Sequence, residues 1–432
     1  MDDKASVITR KHAIYSLVVL FFVNIMNNLD RYLISIVFPL IKTDLSLSDT
    51  ELGVIGGVAF TVFYAIMAFP MGWAVDRFTR KYVISVGLAV WSAATFLSGL
   101  ARSFLTLFLA RALTGTGESS CQPSGISLLS DYFTPKIRAA SIGIFISASS
   151  LGGGFAFIFG GMIAEKFGWR SAFFFFAGLG FALLPFILFL KEPIRGIQEG
   201  LTAAQSGKLT GQALWPKIRK ILSIKTLRFQ YVVTALLQIG FQGFAIWFPT
   251  FMVRLRGYDL EEAGKVAGSA VLVAGIMGAV GGGIIADRWF RKDKAARLKA
   301  QILFCALAIP FMIFCFFVAS KTLLVLFLLL NFIFLMALFP ISQTLIIDLV
   351  DPGDRGSSMA LMLFMQSGIG FSLGPLIVGA ISDLTGSLLA GLIVLPAFLI
   401  MVVLLGFWML RFFMDDFNAA QKRIASLKEQ EP

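Results

Sequence analysis

Twelve stretches of this 432-residue chain are almost uninterruptedly apolar. Each is about 20 residues or longer, the length a helix needs to cross roughly 30 Å of hydrocarbon. They lie near 13–41, 51–75, 82–100, 104–130, 139–164, 171–190, 229–253, 262–286, 300–319, 322–350, 357–382 and 388–411. Inside a bilayer only helices and closed barrels satisfy every backbone polar group, and these runs do not alternate as barrel strands do. An all-α membrane protein of twelve transmembrane helices is therefore expected. The composition, 57% hydrophobic with 14% charged residues and 45 Phe, excludes an ordinary soluble globule.

With the N-terminus placed in the cytoplasm, most of the 37 Lys and Arg fall on the inner side, which sets the orientation and puts both termini inside. The net charge of +12 then marks topology and contact with anionic lipid headgroups, and gives no argument for nucleic acid. The polar segment Met1 to His12 runs straight into a span too long for a signal peptide core, so no cleaved leader is expected. Cys121, Cys305 and Cys315 fall inside spans without ligand spacing, so neither a disulfide nor a metal is expected. A bacterial inner-membrane protein working as a monomer fits these features.

One phrase occurs twice. Gly72-Trp73-Ala74-Val75-Asp76-Arg77-Phe78-Thr79-Arg80-Lys81 and Gly283-Ile284-Ile285-Ala286-Asp287-Arg288-Trp289-Phe290-Arg291-Lys292 both read GxxxDRxxRK, 211 positions apart. Asp131, Pro135, Arg138 and Ser141 recur 217 positions later as Asp348, Pro352, Arg355 and Ser358, and Gly161-x3-Glu165-x2-Gly168 recurs as Gly379-x3-Asp383-x2-Gly386. Two parallel six-helix repeats follow. Their bounds are an N-terminal bundle 1–190, a cytoplasmic linker 191–228, a C-terminal bundle 229–411 and a cytoplasmic tail 412–432. In the linker, Leu209, Leu214, Trp215, Ile218, Ile221 and Leu222 interleave with Lys208, Lys217, Arg219 and Lys220, as in an amphipathic helix on the cytoplasmic leaflet; a plain flexible linker fits equally. Asp76 and Asp287, at helix ends, are expected to pair with a basic residue or a neighbouring helix terminus. Arg77, Arg80, Lys81, Arg288, Arg291 and Lys292 would meet lipid phosphates, and Gly72 and Gly283 would admit a close neighbour. With Asp131, Arg138, Asp348 and Arg355 these residues form a candidate conformational latch.

Charges deep in spans are confined to the first half: Asp30, Arg31, Arg111 and Glu118. Each costs roughly 2.5 to 3.5 kcal/mol at mid-membrane, which a purely structural role leaves unexplained. Arg111 and Glu118 are seven residues apart, about 20° off one helical face, which they share with Gln122. Asn24, Asn28, Arg31 and Ser35 form a second stripe, and Asp30 points about 100° aside, toward a neighbouring helix. Burial favours the neutral form of a carboxyl and a nearby arginine the charged form, so Asp30 and Glu118 read as proton-coupling sites, with Arg31 and Arg111 as charge partners and Asn28 and Gln122 in the cavity wall. Static ion pairing of the same four groups is the plainer alternative. The proton is the expected coupling ion, with no other cofactor.

The second half offers Thr234, Gln238, Phe241 and Gln242 in span seven, and Met362 and Gln366 in span eleven. A mostly apolar wall with a few amides suits an amphiphile. No Ser/His pairing, metal or nucleotide-phosphate motif points to an enzyme, and short loops leave little for a non-transporting sensor.

The doubled GxxxDRxxRK on a six-plus-six helical chain resembles the major facilitator superfamily over essentially the whole length. Asn28-Leu29-Asp30-Arg31-Tyr32, Arg111-x3-Gly115-x-Gly117-Glu118 with Cys121 and Pro123, Ser130-Asp131-Tyr132-Phe133, and Lys191-Glu192-Pro193 with Arg195-Gly196 resemble the Spinster family, particularly its bacterial members. That resemblance implies proton coupling at the matching acids and a lysophospholipid- or sphingolipid-like substrate moved by rocker-switch alternating access. The anion:cation symporter family also shows an Asn-x-Asp-Arg word and an Arg followed by Gly-Glu, which implies small organic anions such as hexuronates instead.

Overall fold

The structure, a computed structural model, describes residues 9–195, 214–351 and 354–429; among these, helices and short turns account for the chain and no strand occurs. The first span is Arg10–Ile36, the second Asp49–Arg77, the third Arg80–Gly99, the fifth Ala140–Phe167 and the sixth Trp169–Leu188. In the second half they are Lys225–Arg256, Leu260–Phe290, Ala296–Phe317, Lys321–Leu349, Ser357–Thr385 and Leu388–Arg423. The fourth span completes the twelve, but it is two rods, Phe104–Glu118 and Cys121–Tyr132. Residues whose apolar side chains stay more than half exposed, among them Phe69, Val86, Leu105 and Leu404, line the outside of these helices, as lipid-facing surfaces require.

Local chemistry sets the helix ends. Ser103 and Thr106 form a reciprocal capping box at the start of the fourth span, and Pro135 opens the fifth helix, where its missing N–H costs nothing. The first span stops at Ile36, short of the expected boundary at 41; Val37 leaves the helical conformation and a separate short helix, Phe38–Leu45, follows. Within the eleventh span, Phe364–Phe371 is π-helical. An added Cβ at Gly370 would come within 2.4 Å of Gln238, and one at Gly374 within 2.6 Å of the Ile239 carbonyl, so this segment lies directly on the seventh span.

By internal contacts the chain divides into two units. One holds the chain up to Leu47, the stretch from Val54 through the sixth span, and Met252–Gly268; the other holds Ser48–Gly53, the seventh span up to Phe251, and everything from Ser269. The Gly-x3-acid-x2-Gly motif does the same work inside each. In the first, Glu165 accepts the Leu260 N–H at 2.9 Å while Gly161 lies under the Leu260 carbonyl. In the second, Asp383 accepts the Asp49 and Thr50 N–H groups at 3.0 and 2.7 Å, and Gly379 lies under the Asp49 carbonyl. Each acid thus caps the first turn of a span, whose free N–H groups and positive dipole end favour a carboxylate.

A helix occupies Leu214–Ser223 in the linker; Lys208 and Leu209 lie outside the described residues. Lys220 bonds Asp351 and Asp354 at 2.7 and 2.8 Å, and Arg423 reaches Asp351 at 3.3 Å. Lys220 of this helix is therefore held by protein carboxylates.

Candidate proton and substrate sites

In the first unit, the third turn of the fourth span delivers Arg111 and its end delivers Glu118; both are buried, as is Asp30. Arg31 of the first span reaches Glu118 at 3.1 Å and leans on Asn27 at 3.5 Å. Its guanidinium carbon sits 4.8 Å from the Phe60 ring centre and 5.1 Å from that of Tyr64, while Arg111 approaches the same Phe60 ring at 5.3 Å. Phe60 is placed there because Gly115 lets the second span close in: a Cβ on Gly115 would lie 2.3 Å from the Phe60 carbonyl oxygen. The two arginines therefore share one aromatic ring, whose quadrupole stabilises desolvated cations.

The sequence brings Asp30 and Arg111 together, but through an unexpected atom: Arg111 Nη1 donates to the backbone carbonyl of Asp30 at 3.0 Å. Among the described residues, Asp30 Oδ1, Glu118 Oε1, and Nε and Nη2 of Arg111 have no hydrogen-bond partner. Three buried ionisable groups and the half-buried Arg31 thus include the Arg31–Glu118 ion pair, yet Asp30, Arg111 and Glu118 retain open valences, which a fully satisfied structural cluster would not. Beside them Gln122 donates to Asn24 Oδ1 at 3.2 Å and Asn28 to the Asn24 carbonyl at 2.9 Å. Asn27, which the helical-stripe reading passed over, donates to the Glu118 carbonyl at 3.3 Å, a group left exposed by the break in the fourth span.

In the second unit a cavity is lined by Thr234, Gln238, Phe241 and Gln366, all expected, and also by Leu237 and the tenth-span residues Leu335, Leu338, Phe339 and Ser342. Gln242 and Met362 are buried but stand outside this lining: Gln242 is four residues beyond Gln238, about a turn farther along, and Met362 precedes the π-helical segment that carries Gln366. Ser342 opens a short polar patch with Gln343 and Thr344 in span ten, and nothing in that span marks which of the three faces the cavity.

The latch residues separate. Gly72 and Gly283 have nothing within 4 Å of an added Cβ, so neither admits a close neighbour; Gly278 and Gly282 do this against the tenth span. Arg80, expected at lipid phosphates, is buried and bonds Asp131, Glu192 at 2.7 Å, Ser127 at 3.0 Å and the Pro193 carbonyl at 2.8 Å. Lys81 donates its backbone N–H to Glu192 at 3.2 Å. Arg291, the counterpart of Arg80 in the repeated phrase, is exposed together with Arg288 and Lys292. Its place is taken by Arg297, which bonds Asp348 and, at 2.9 Å, Asp287. Asp76 and Arg77 are exposed, Arg77 lying 5.6 Å over Trp73; Arg138 is half-buried and Arg355 exposed.

The description "Major Facilitator Superfamily" matches residues 20–375. The chain belongs to the major facilitator superfamily. It is 31% identical to an MFS-type efflux pump of Mycolicibacterium smegmatis, over 84% of this chain and 83% of that one. It is 30% identical to a hexuronate transporter of Bacillus subtilis, over 85% and 87%. The crystal structure of a bacterial homologue of the human lysosomal transporter Spinster, inward-facing and unoccupied, superposes with a TM-score of 0.83 at 24% identity, covering 94% of this chain and 99% of that one. The fold is thus that of a multi-pass facilitator, and the Spinster likeness read from the first half recurs in it.

Proposed function

We propose that this facilitator couples proton movement to transport of a lipid-like amphiphile by alternating access. The observation that carries the reading is the contrast between its two sites. The first unit buries Asp30, Arg111 and Glu118 and sets the half-buried Arg31 against Glu118 at 3.1 Å, whereas the second-unit cavity has no charged side chain in its lining. Glu118, paired with Arg31, is the first proton site, where a proton and the guanidinium compete for the same carboxylate. Asp30, beside Arg111, is the second proton site. The apolar wall of the other unit takes the chain of the amphiphile, and the Spinster likeness supports that substrate class. The protein acts in the bacterial inner membrane as a monomer with both termini inside.

The test is flux of a lysophospholipid in proteoliposomes under an imposed pH gradient. Glu118→Gln and Asp30→Asn are each expected to abolish the response to the gradient while leaving folded protein. Proton-driven flux persisting in both variants ends the coupling assignment.

A second reading, symport of a small organic anion, is favoured by the unpartnered Nη2 of buried Arg111, a ready carboxylate ligand, and by the similarity to a hexuronate transporter. Saturable hexuronate binding lost in Arg111→Gln, with no lysolipid bound, selects it.

A further inference from the structure

Two hydroxyls line the second-unit cavity, and neither has its hydrogen to spare. Thr234 Oγ1 donates to the Gln230 carbonyl at 2.8 Å, and Ser342 Oγ donates to Gln301 Oε1 at 3.0 Å. A hydroxyl carries one hydrogen, so both present only lone pairs to a ligand. The orientation of Ser342 is enforced from behind. Gln230 Nε2 donates to Gln301 Oε1 at 2.9 Å and Gln301 Nε2 donates back to Gln230 Oε1 at 3.2 Å. Turning either amide alone would set like groups face to face. Both glutamines are fully buried and neither lines the cavity. A paired amide in an apolar core stabilises little by itself, because desolvation offsets most of the hydrogen-bond gain. The pair does, however, fix which way a cavity hydroxyl points.

We propose that the cavity selects amphiphiles whose polar end carries hydroxyl or N–H donors. Thr234 and Ser342 are the direct acceptors, and Gln230 and Gln301 are positioning residues that keep Ser342 an acceptor. This rests on the amphiphile reading above. A headgroup offering only acceptors can meet the amides of Gln238 and Gln366 but faces lone pairs on both hydroxyls, an unfavourable juxtaposition that a donor on the headgroup removes.

The test measures equilibrium binding of two probes to the purified full chain: 1-monododecanoylglycerol and its 2,3-di-O-methyl ether. They share a chain and every oxygen and differ in two donors. The diol is expected to bind about tenfold tighter or more, the discrimination of a site built around hydrogen bonds. Thr234→Val and Ser342→Ala each cut that preference several-fold. Gln301→Met leaves the cavity lining intact but frees the Ser342 hydroxyl to donate, so affinity for the ether rises while that for the diol falls, a crossing that simple loss of packing does not produce. If Gln301→Met fails to fold, Thr234→Val decides alone. Equal affinity of the two probes for the unaltered protein overturns the donor assignment and leaves the amphiphile reading standing; binding of neither overturns both.

Discussion

Arg80 and Arg297 stand 217 positions apart, and each holds the aspartate 51 residues after it, Asp131 and Asp348. The equivalence runs through the offset that relates Asp131 to Asp348, Pro135 to Pro352 and Ser141 to Ser358, and not through the repeated phrase, whose 211-residue offset pairs Arg80 with Arg291. Asp287 also bonds Arg297, whereas Asp76 has no ion pair among the described residues, so the two copies of one phrase do different things.

Removing Arg80 leaves Asp131 buried beside a vacated cation. Arg80→Gln is expected to cost about 3 kcal/mol or more, the penalty for breaking a buried pair from one side. Arg297→Gln costs less because its site is wetter, and Arg291→Gln is near neutral. Thermal unfolding followed by intrinsic fluorescence ranks the three; equal losses at 291 and 297 restore the phrase-based pairing.

Gly379→Ala drives a methyl to 2.2 Å from the Asp49 carbonyl oxygen, while Gly72→Ala adds one into open space. The first variant is expected to lose thermal stability and transport together. The second is unchanged or slightly more stable, since alanine is favoured over glycine in a helix by up to about 1 kcal/mol. Matched melting curves and flux assays check this.

The caps at Glu165 and Asp383 are expected to be worth about 1 kcal/mol each, as helix caps usually are. Glu165→Gln retains an acceptor and loses less than Glu165→Leu. Hydrogen exchange at the Leu260 amide, compared with that at Thr50 in Asp383→Leu, reads each cap separately.

The anchored linker helix has a pH profile with a definite sign. Burial alone would raise the pKa of Asp351, but hydrogen bonds from Lys220 and Arg423 outweigh it and hold the carboxyl below its ordinary value. Lys220 is raised by its bonds to Asp351 and then Asp354. A depressed acid stabilises above its unfolded pKa and loses that contribution as pH falls through the folded one, below about 4. A raised lysine loses its contribution only above about 10. Protection of residues 214–223 from proteolysis is therefore expected to be flat from about pH 5 to 9 and to drop on the acid side. Lys220→Met lowers it throughout.

The spans were legible because hydrocarbon tolerates little else, and Asp30, Arg31, Arg111 and Glu118 because mid-membrane charge is costly enough to be conspicuous. The partnership within that cluster was less so. Helical spacing ranks side chains by face, yet Arg111 meets a carbonyl of Asp30 and Arg31 takes the carboxylate, choices made by how closely Gly115 allows the second span to approach. Gln366 stands out as a polar residue in an apolar run, while Met362 lies outside the cavity lining, just before the segment where the backbone widens by a residue per turn, a change that helical spacing does not reveal. Arg297 escaped notice because a repeated phrase is louder than a repeated distance.

The break in the fourth span falls directly after Glu118, and Asn27 ties the loosened carbonyl there to the first span. A continuous helix resists bending along its whole length, but here the stiffness lapses at the residue that bears the acid. Under the proton coupling proposed above, gain or loss of charge at that side chain would act on a joint between the rod that carries Arg111 and the rod that leads to Asp131 and the Arg80 cluster. The proposed ionisation and the break in the helix thus coincide at one position.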